Sequence, residues 1–186
     1  MQSTYSVDVA GVHRELTLLE VAPGVRIAVL NILGDTELVE AAAKALAPMI
    51  PASCDVLVTA EAKSIPLAHA LAVHMGALRG RIMPYVVLRK SYKPYMGDAL
   101  KAETHSITTG VPQILYLDAK DRELIKHKHV VVLDDVISTG STLEGIRLIM
   151  QKAEADVVAD AAIFTEGDPA RWTNVIALGH LPVLIS

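Results

Sequence analysis

The residues best suited to chemistry lie between positions 129 and 142. The aliphatic run Val130, Val131, Val132, Leu133 ends in two adjacent carboxylates, Asp134 and Asp135, and a short loop of hydroxyls around one glycine follows: Ser138, Thr139, Gly140, Ser141, Thr142. A buried strand that delivers such a loop to the start of a helix can wrap a phosphate with backbone N–H groups, and the helix N-terminus adds a favourable dipole. Paired carboxylates beside the loop suit a polyol such as ribose. A sugar phosphate is therefore the first ligand these residues suggest. The plainer alternative is a strand–loop–helix with a polar cap, since Ser141 and Glu144 have capping-box spacing.

Two further loops carry unusual residues. Glu61, Ala62, Lys63 and Ser64 follow the apolar stretch Asp55–Ala60. They read either as an anion loop with a ready cation or as a simple helix start, with Ser64 as N-cap and Pro66 in the first turn. Arg89, Lys90 and Lys93 follow Val86–Leu88 and set three cations within five residues. That segment is either a solvated basic loop or a means of neutralising a charged leaving group. The seven histidines show no zinc-ligand spacing, and no metal role is assigned to them.

The motif at 130–142 resembles the phosphoribosyl-pyrophosphate (PRPP) signature of type I phosphoribosyltransferases, and the loop at 61–64 resembles the pyrophosphate loop of their adenine and xanthine branch. The resemblance covers the chain from about residue 26 onward. It implies that Asp134 and Asp135 lie at the ribose hydroxyls, that Ser138, Thr139, Gly140, Ser141 and Thr142 cradle the 5′-phosphate, and that Glu61, Ala62, Lys63 and Ser64, helped by Lys93, meet pyrophosphate. Ser64 stands where the family usually has glycine. Arg89 and Lys90 take the place of the catalytic loop. For the base it points to Asn31, Phe164 and Glu166, with Trp172 as another possible stacking ring. Residues 164–168 hold no lysine of the kind that meets a 6-oxo group, which favours adenine over xanthine or hypoxanthine/guanine. It also implies Mg²⁺ held mainly by PRPP near Asp134 and Asp135, no dedicated metal cage, and a homodimer. The alternatives are a PRPP-sensing regulator like the Gram-positive purine repressor, for whose DNA-binding domain 186 residues leave little room, and an orotate-type enzyme, against which the Glu61-Ala62 pair argues.

The remaining sequence must position these loops. The chain has 186 residues, 52% hydrophobic and 20% charged, with net charge −4. One domain with a sizeable core is expected, and a nucleic-acid coat is not, since such surfaces are strongly basic. Cys54 is the one cysteine, so no internal disulfide forms. That, with no leader pattern at the N-terminus and no membrane-length apolar run, suggests a cytoplasmic protein without membrane partners. Strands are expected at 5–9, 15–21, 26–31, 55–60, 84–88, 104–109, 113–118, 130–134, 157–164, 175–178 and 183–185. Helices are expected at 36–47, at 65–75 with Gly76 just past its end, and from 141, with residues 89–103 irregular. This alternation predicts an α/β fold: a mostly parallel sheet flanked by helices, with ligands at the carboxyl ends of its strands. A small hood over the base is expected from about 1–34 with part of 164–186.

Overall fold

The computed structural model describes residues 3–105 and 112–185. The predicted strand at 104–109 therefore lies partly outside the described residues. Strands β1 (Thr4–Val9), β2 (Val12–Ala22) and β3 (Val25–Val29) open the chain, followed by α1 (Thr36–Leu46), β4 (Val56–Ala60), α2 (Ile65–Arg79) and β5 (Tyr85–Leu88). Then come β6 (Leu100–His105), β7 (Pro112–Leu117), α3 (Ala119–Ile125), β8 (His129–Ile137), α4 (Ser141–Lys152), β9 (Asp156–Glu166), β10 (Val175–Leu181) and β11 (Leu184–Ile185).

Among the described residues, the central sheet is parallel throughout, in the order β10-β9-β8-β4-β5. Its middle strands are aliphatic on both faces because both faces are covered. Leu57, Val131, Leu133, Ala161 and Ile163 belong to one apolar cluster with α1 and α2, while Val58, Val130, Val132 and Ala162 belong to a second with α4, β6 and β7. β1, β2, β3 and β11 form a separate antiparallel sheet. Arg14 of β2 ties it to α1: its Nε and Nη2 donate to the two carboxylate oxygens of Asp35 at 2.7 and 2.9 Å. Asp35 also caps α1, accepting from the Leu38 N–H, and the adjacent guanidinium holds its carboxyl below the usual range.

Three expectations change. α2 does not stop before Gly76 but runs to Arg79, with Gly80 as its left-handed cap at φ 63°. Gly76 is small for another reason: a Cβ there would sit 3.0 Å from the Arg81 carbonyl oxygen, where the chain turns back across the helix. Residues 89–103 are not wholly irregular. A 3₁₀ turn at Pro94–Met96 buries Met96, and β6 starts at Leu100. α3, which the sequence reading lacks, is a short helix capped by Asp118.

Candidate active site

The order of the central sheet reverses direction between β4 and β8, because the chain leaves β4 toward β5 on one side and β8 toward β9 on the other. A crevice at such a switch point is where open parallel sheets bind ligands. β4 and β8 pair only from Val56↔Val130 to Val58↔Val132 and then part. The loop after β4 and the end of β8 diverge around a cleft of about 200 Å³, lined by Glu61, Ala62, Lys63, Ser64, Asp134 and Asp135, and also by Lys90 and Thr142.

Ser64 joins the two walls. It occupies the N-cap position of α2 but caps nothing. Its buried hydroxyl lies 2.8 Å from Asp134 Oδ1 and 3.2 Å from Asp135 Oδ1, and it accepts the Asp135 N–H at 2.8 Å. The helix-start reading of Ser64 thus gets the position right and the partner wrong. Burial, and then the neighbouring Asp135 charge, push the Asp134 carboxyl up to about 7, with the Ser64 hydroxyl working in the opposite direction. Among the described residues Asp135 Oδ2 finds no hydrogen-bond donor, and the Lys63 ammonium stands 3.6 Å from it. Lys63 also donates to the Leu30 carbonyl at 3.4 Å, a contact between distant segments that no sequence spacing announces. The peptide bond between Glu61 and Ala62 is cis.

β8 extends to Ile137, three residues past its predicted end, so the two carboxylates lie within the strand rather than where it ends. Residues 138–140 then turn into α4. The expected capping box at Ser141–Glu144 does not form: Gly140, left-handed at φ 85°, is the N-cap, and no side chain caps the helix. Thr139 Oγ1 and Ser141 Oγ are 3.1 Å apart at the rim of this turn. Inside it lies a small cavity of about 30 Å³ bounded by Asp134, Ser138, Thr139, Gly140 and Thr142.

The basic segment is only partly at the cleft. Arg89 is fixed through its backbone, which exchanges hydrogen bonds with Tyr116 at 2.9 and 2.8 Å. Its Nε forms a 2.7 Å ion pair with Glu61, whose other oxygen accepts the Lys90 N–H at 2.5 Å. Glu61 therefore lines the cleft, yet its carboxylate is committed to Arg89 and Lys90. Lys90 lines the cleft, whereas Lys93 does not and is exposed beside the Pro94–Met96 turn.

The base candidates are not gathered at one place. Asn31 is exposed, and its side-chain oxygen accepts the Leu33 N–H at 3.3 Å. Phe164 is buried in the core; its ring lies 2.7 Å from where a Cβ on Gly179 would be, so neither face is open to a base. Glu166 is buried at the end of β9, and burial raises its carboxyl above the usual range. Trp172 lies against Gly140 rather than over the cleft. Among the described residues, no group of His, Cys, Asp and Glu is arranged to hold a metal ion, and no helix is long and apolar enough to cross a membrane.

Known proteins resemble this one in both sequence and shape. The family model described as phosphoribosyl transferase domain matches residues 31–175. The hypoxanthine/guanine phosphoribosyltransferase of Methanococcus vannielii is 33% identical over 135 residues, 73% of this chain and 66% of that protein. That of Methanococcus voltae is 33% identical over 119 residues, 64% of this chain and 57% of that protein. The chain spans somewhat less than two thirds of these curated relatives. Among solved structures, adenine phosphoribosyltransferase from Thermoanaerobacter pseudethanolicus superposes with a TM-score of 0.69 at 18% identity, over 89% of this chain and 95% of the other. The Saccharomyces cerevisiae enzyme gives 0.63 at 18% identity, over 95% and 94%. At such identities the likeness is one of fold: a parallel α/β sheet flanked by helices.

Proposed function

This chain belongs to the phosphoribosyl transferase domain family, and from that premise we propose that it is a purine phosphoribosyltransferase. It would join a purine base to the anomeric carbon of PRPP: the bond from the base nitrogen forms, the bond to pyrophosphate breaks, and the base nitrogen gives up its proton. The observation that carries this reading is the meeting of Glu61–Ser64 with Asp134, Asp135 and Thr142 in one cleft, with the turn at 138–140 around a small cavity that shares Asp134 and Thr142 with it.

In this reading the N–H groups and hydroxyls of residues 138–142 hold the 5′-phosphate at the uncapped start of α4. Asp134 and Asp135 accept the ribose hydroxyls and offset positive charge building on the ribose ring. Lys63 and Lys90 face the departing pyrophosphate, and Arg89, steadied by Glu61, stands behind them. Lys93 would join them only if its segment folded inward. Catalysis would come from positioning and from charge stabilisation. Mg²⁺ fits this site. The two aspartates offer hard oxygen donors, and Asp135 Oδ2 is a buried carboxylate oxygen that no described residue supplies with a hydrogen-bond donor. Bound there with PRPP, it would neutralise and orient the pyrophosphate. Asn31 and Glu166 are the base contacts we retain.

Adenine is our first choice of base, because residues 164–168 present two acids and no lysine. Hypoxanthine or guanine is the second reading, favoured by the names of the Methanococcus relatives. We expect the molecule to act as a homodimer in the cytoplasm. The test is pyrophosphate release from PRPP and Mg²⁺ with a panel of adenine, hypoxanthine, guanine, xanthine, uracil and orotate. Release with adenine alone supports the first reading and release with a 6-oxopurine the second. Tight PRPP binding with no release for any base would point to sensing instead of transfer.

A further inference from the structure

The segment after β9 touches the turn at residues 138–140 from outside the cleft. Asp168 caps a 3₁₀ turn at Pro169–Trp172 by accepting the Ala170 N–H at 3.0 Å. This turn presents two side chains. Arg171 Nη2 donates to the Thr139 carbonyl at 3.1 Å. Trp172 is oriented by its own Nε1–H, which donates to the Glu166 carbonyl at 2.9 Å, and its ring edge closes over Gly140: a Cβ there would be 3.0 Å from Cη2. The Arg171 guanidinium lies 5.0 Å above the indole centroid, so the two brace each other. Neither residue lines the small cavity within the turn; both line a groove on its outer side, with Glu144 and Arg147.

We propose that Arg171 and Trp172 are positioning residues that hold the phosphate loop in its binding shape. The inference rests on reading residues 138–142 as that loop. Its physical basis is that the loop's internal support is slight, the Thr139 hydroxyl meeting Ser141 Oγ at 3.1 Å and accepting the Ser141 N–H at a long 3.4 Å. Gly140 is left-handed, α4 has no side-chain cap, and the free N–H groups that would bind phosphate must be aimed by something else. Arg171 draws the Thr139 carbonyl outward, which keeps its lone pairs from facing a phosphate. Trp172 closes the space into which Gly140, the most pliable residue of the loop, would otherwise relax. A loop already in its bound shape loses less entropy when the ligand arrives.

Trp172 is the chain's one tryptophan, so its fluorescence reports on this contact directly. Ribose 5-phosphate titrated into the wild-type protein should change the emission saturably. By calorimetry, Arg171→Ala and Trp172→Leu should bind ribose 5-phosphate roughly ten- to a hundredfold more weakly, the scale of a small misplacement of binding groups, and Trp172→Phe should recover most of the loss. In turnover, the KM for PRPP should rise while the KM for the base holds. If Trp172→Leu does not fold, Arg171→Ala and the emission change still decide the matter. Unchanged ribose 5-phosphate affinity in the variants, or an equal loss for phosphate and base, would overturn the brace. A wild-type protein that binds ribose 5-phosphate but transfers to no base would refute the proposed activity and leave the brace standing. Active variants with unaltered phosphate affinity would do the reverse, and a wild-type protein that binds no ribose 5-phosphate would end both.

Discussion

Replacing Asp134 with asparagine should stabilise the protein and silence it together. The Asp134 carboxyl, ordinarily near 3.8, is pushed up to about 7, first by burial and then by the charge of Asp135. Ionising it in the folded state at neutral pH therefore costs free energy relative to the unfolded chain, on the order of a few kcal/mol. The sign follows from where the proton sits. Below about pH 3.8 the carboxyl is neutral in both states, and the raised value costs nothing. Between there and about pH 7 the unfolded chain ionises first, so stability falls as pH rises; above about pH 7 the full cost applies. Asparagine keeps an oxygen for the Ser64 hydroxyl and the Asp135 N–H, the two donors Asp134 accepts, and carries no charge to bury. Urea denaturation should show Asp134→Asn exceeding wild type by roughly 1 kcal/mol near pH 5 and by roughly 2–4 kcal/mol near pH 8, the range allowing for imperfect amide hydrogen bonding. The same variant should lose nearly all transfer activity. A stability difference that does not grow with pH, or an asparagine variant weaker than wild type near pH 8, would refute the reasoning.

Ser64→Ala removes the hydroxyl that holds Asp134 down, so the acidic limb of kcat/KM should move to higher pH, and stability should fall by about 1–2 kcal/mol. An unmoved limb in a pH–rate series would count against the assignment. Glu61→Gln releases the Arg89 head from its 2.7 Å ion pair, and steady-state kinetics should show turnover about tenfold lower with the base KM unchanged; a gain in PRPP affinity would mean that Glu61 restrains Arg89 rather than aims it. Gly140→Ala forces a side chain into a left-handed residue and against Trp172, so thermal melts should report a loss of about 1–2 kcal/mol, and calorimetry should show weaker ribose 5-phosphate binding. Unchanged binding would remove Gly140 from the phosphate loop.

The parts legible in the sequence are those governed by local rules with a single solution. Val130–Leu133 reads as a strand covered on both faces, because the run is short, mostly β-branched and leaves no side to turn toward water, and the helix at Thr36–Leu46 starts where Asp35 can cap it. The misreadings come from residues with two uses. Gly76 looks like a helix terminator but serves close approach to Arg81, and Gly80 is the real cap. Ser141 and Glu144 have the spacing of a capping box, yet Gly140 is the N-cap. α3 escaped because its seven residues bury only Ile125, too little for a periodic signal. Ser64 is the instructive case at the site. Its hydroxyl is useful only because β4 and β8 separate after three paired residues, and that separation is a property of the sheet rather than of any local window.

The charges at the cleft bear on how it can accept a polyanion at all. Its lining supplies three carboxylates, Glu61, Asp134 and Asp135, against two cations, Lys63 and Lys90, with Arg89 as a third just behind, on Glu61. Two of those cations are already paired, Lys63 with Asp135 and Arg89 with Glu61. With every group ionised the sum is zero, and with Asp134 protonated it is +1, within a chain of net charge −4. Such a site exerts little long-range attraction on a strongly negative ligand. On the proposed reading, affinity must then come from short-range devices: backbone N–H groups at residues 138–142, exchange of a lysine from carboxylate to phosphate, and a divalent cation that reaches the cleft with PRPP. The phosphate loop is the one of these whose shape must exist before the ligand arrives, which is why contacts on its outer side can matter as much as those within the cleft.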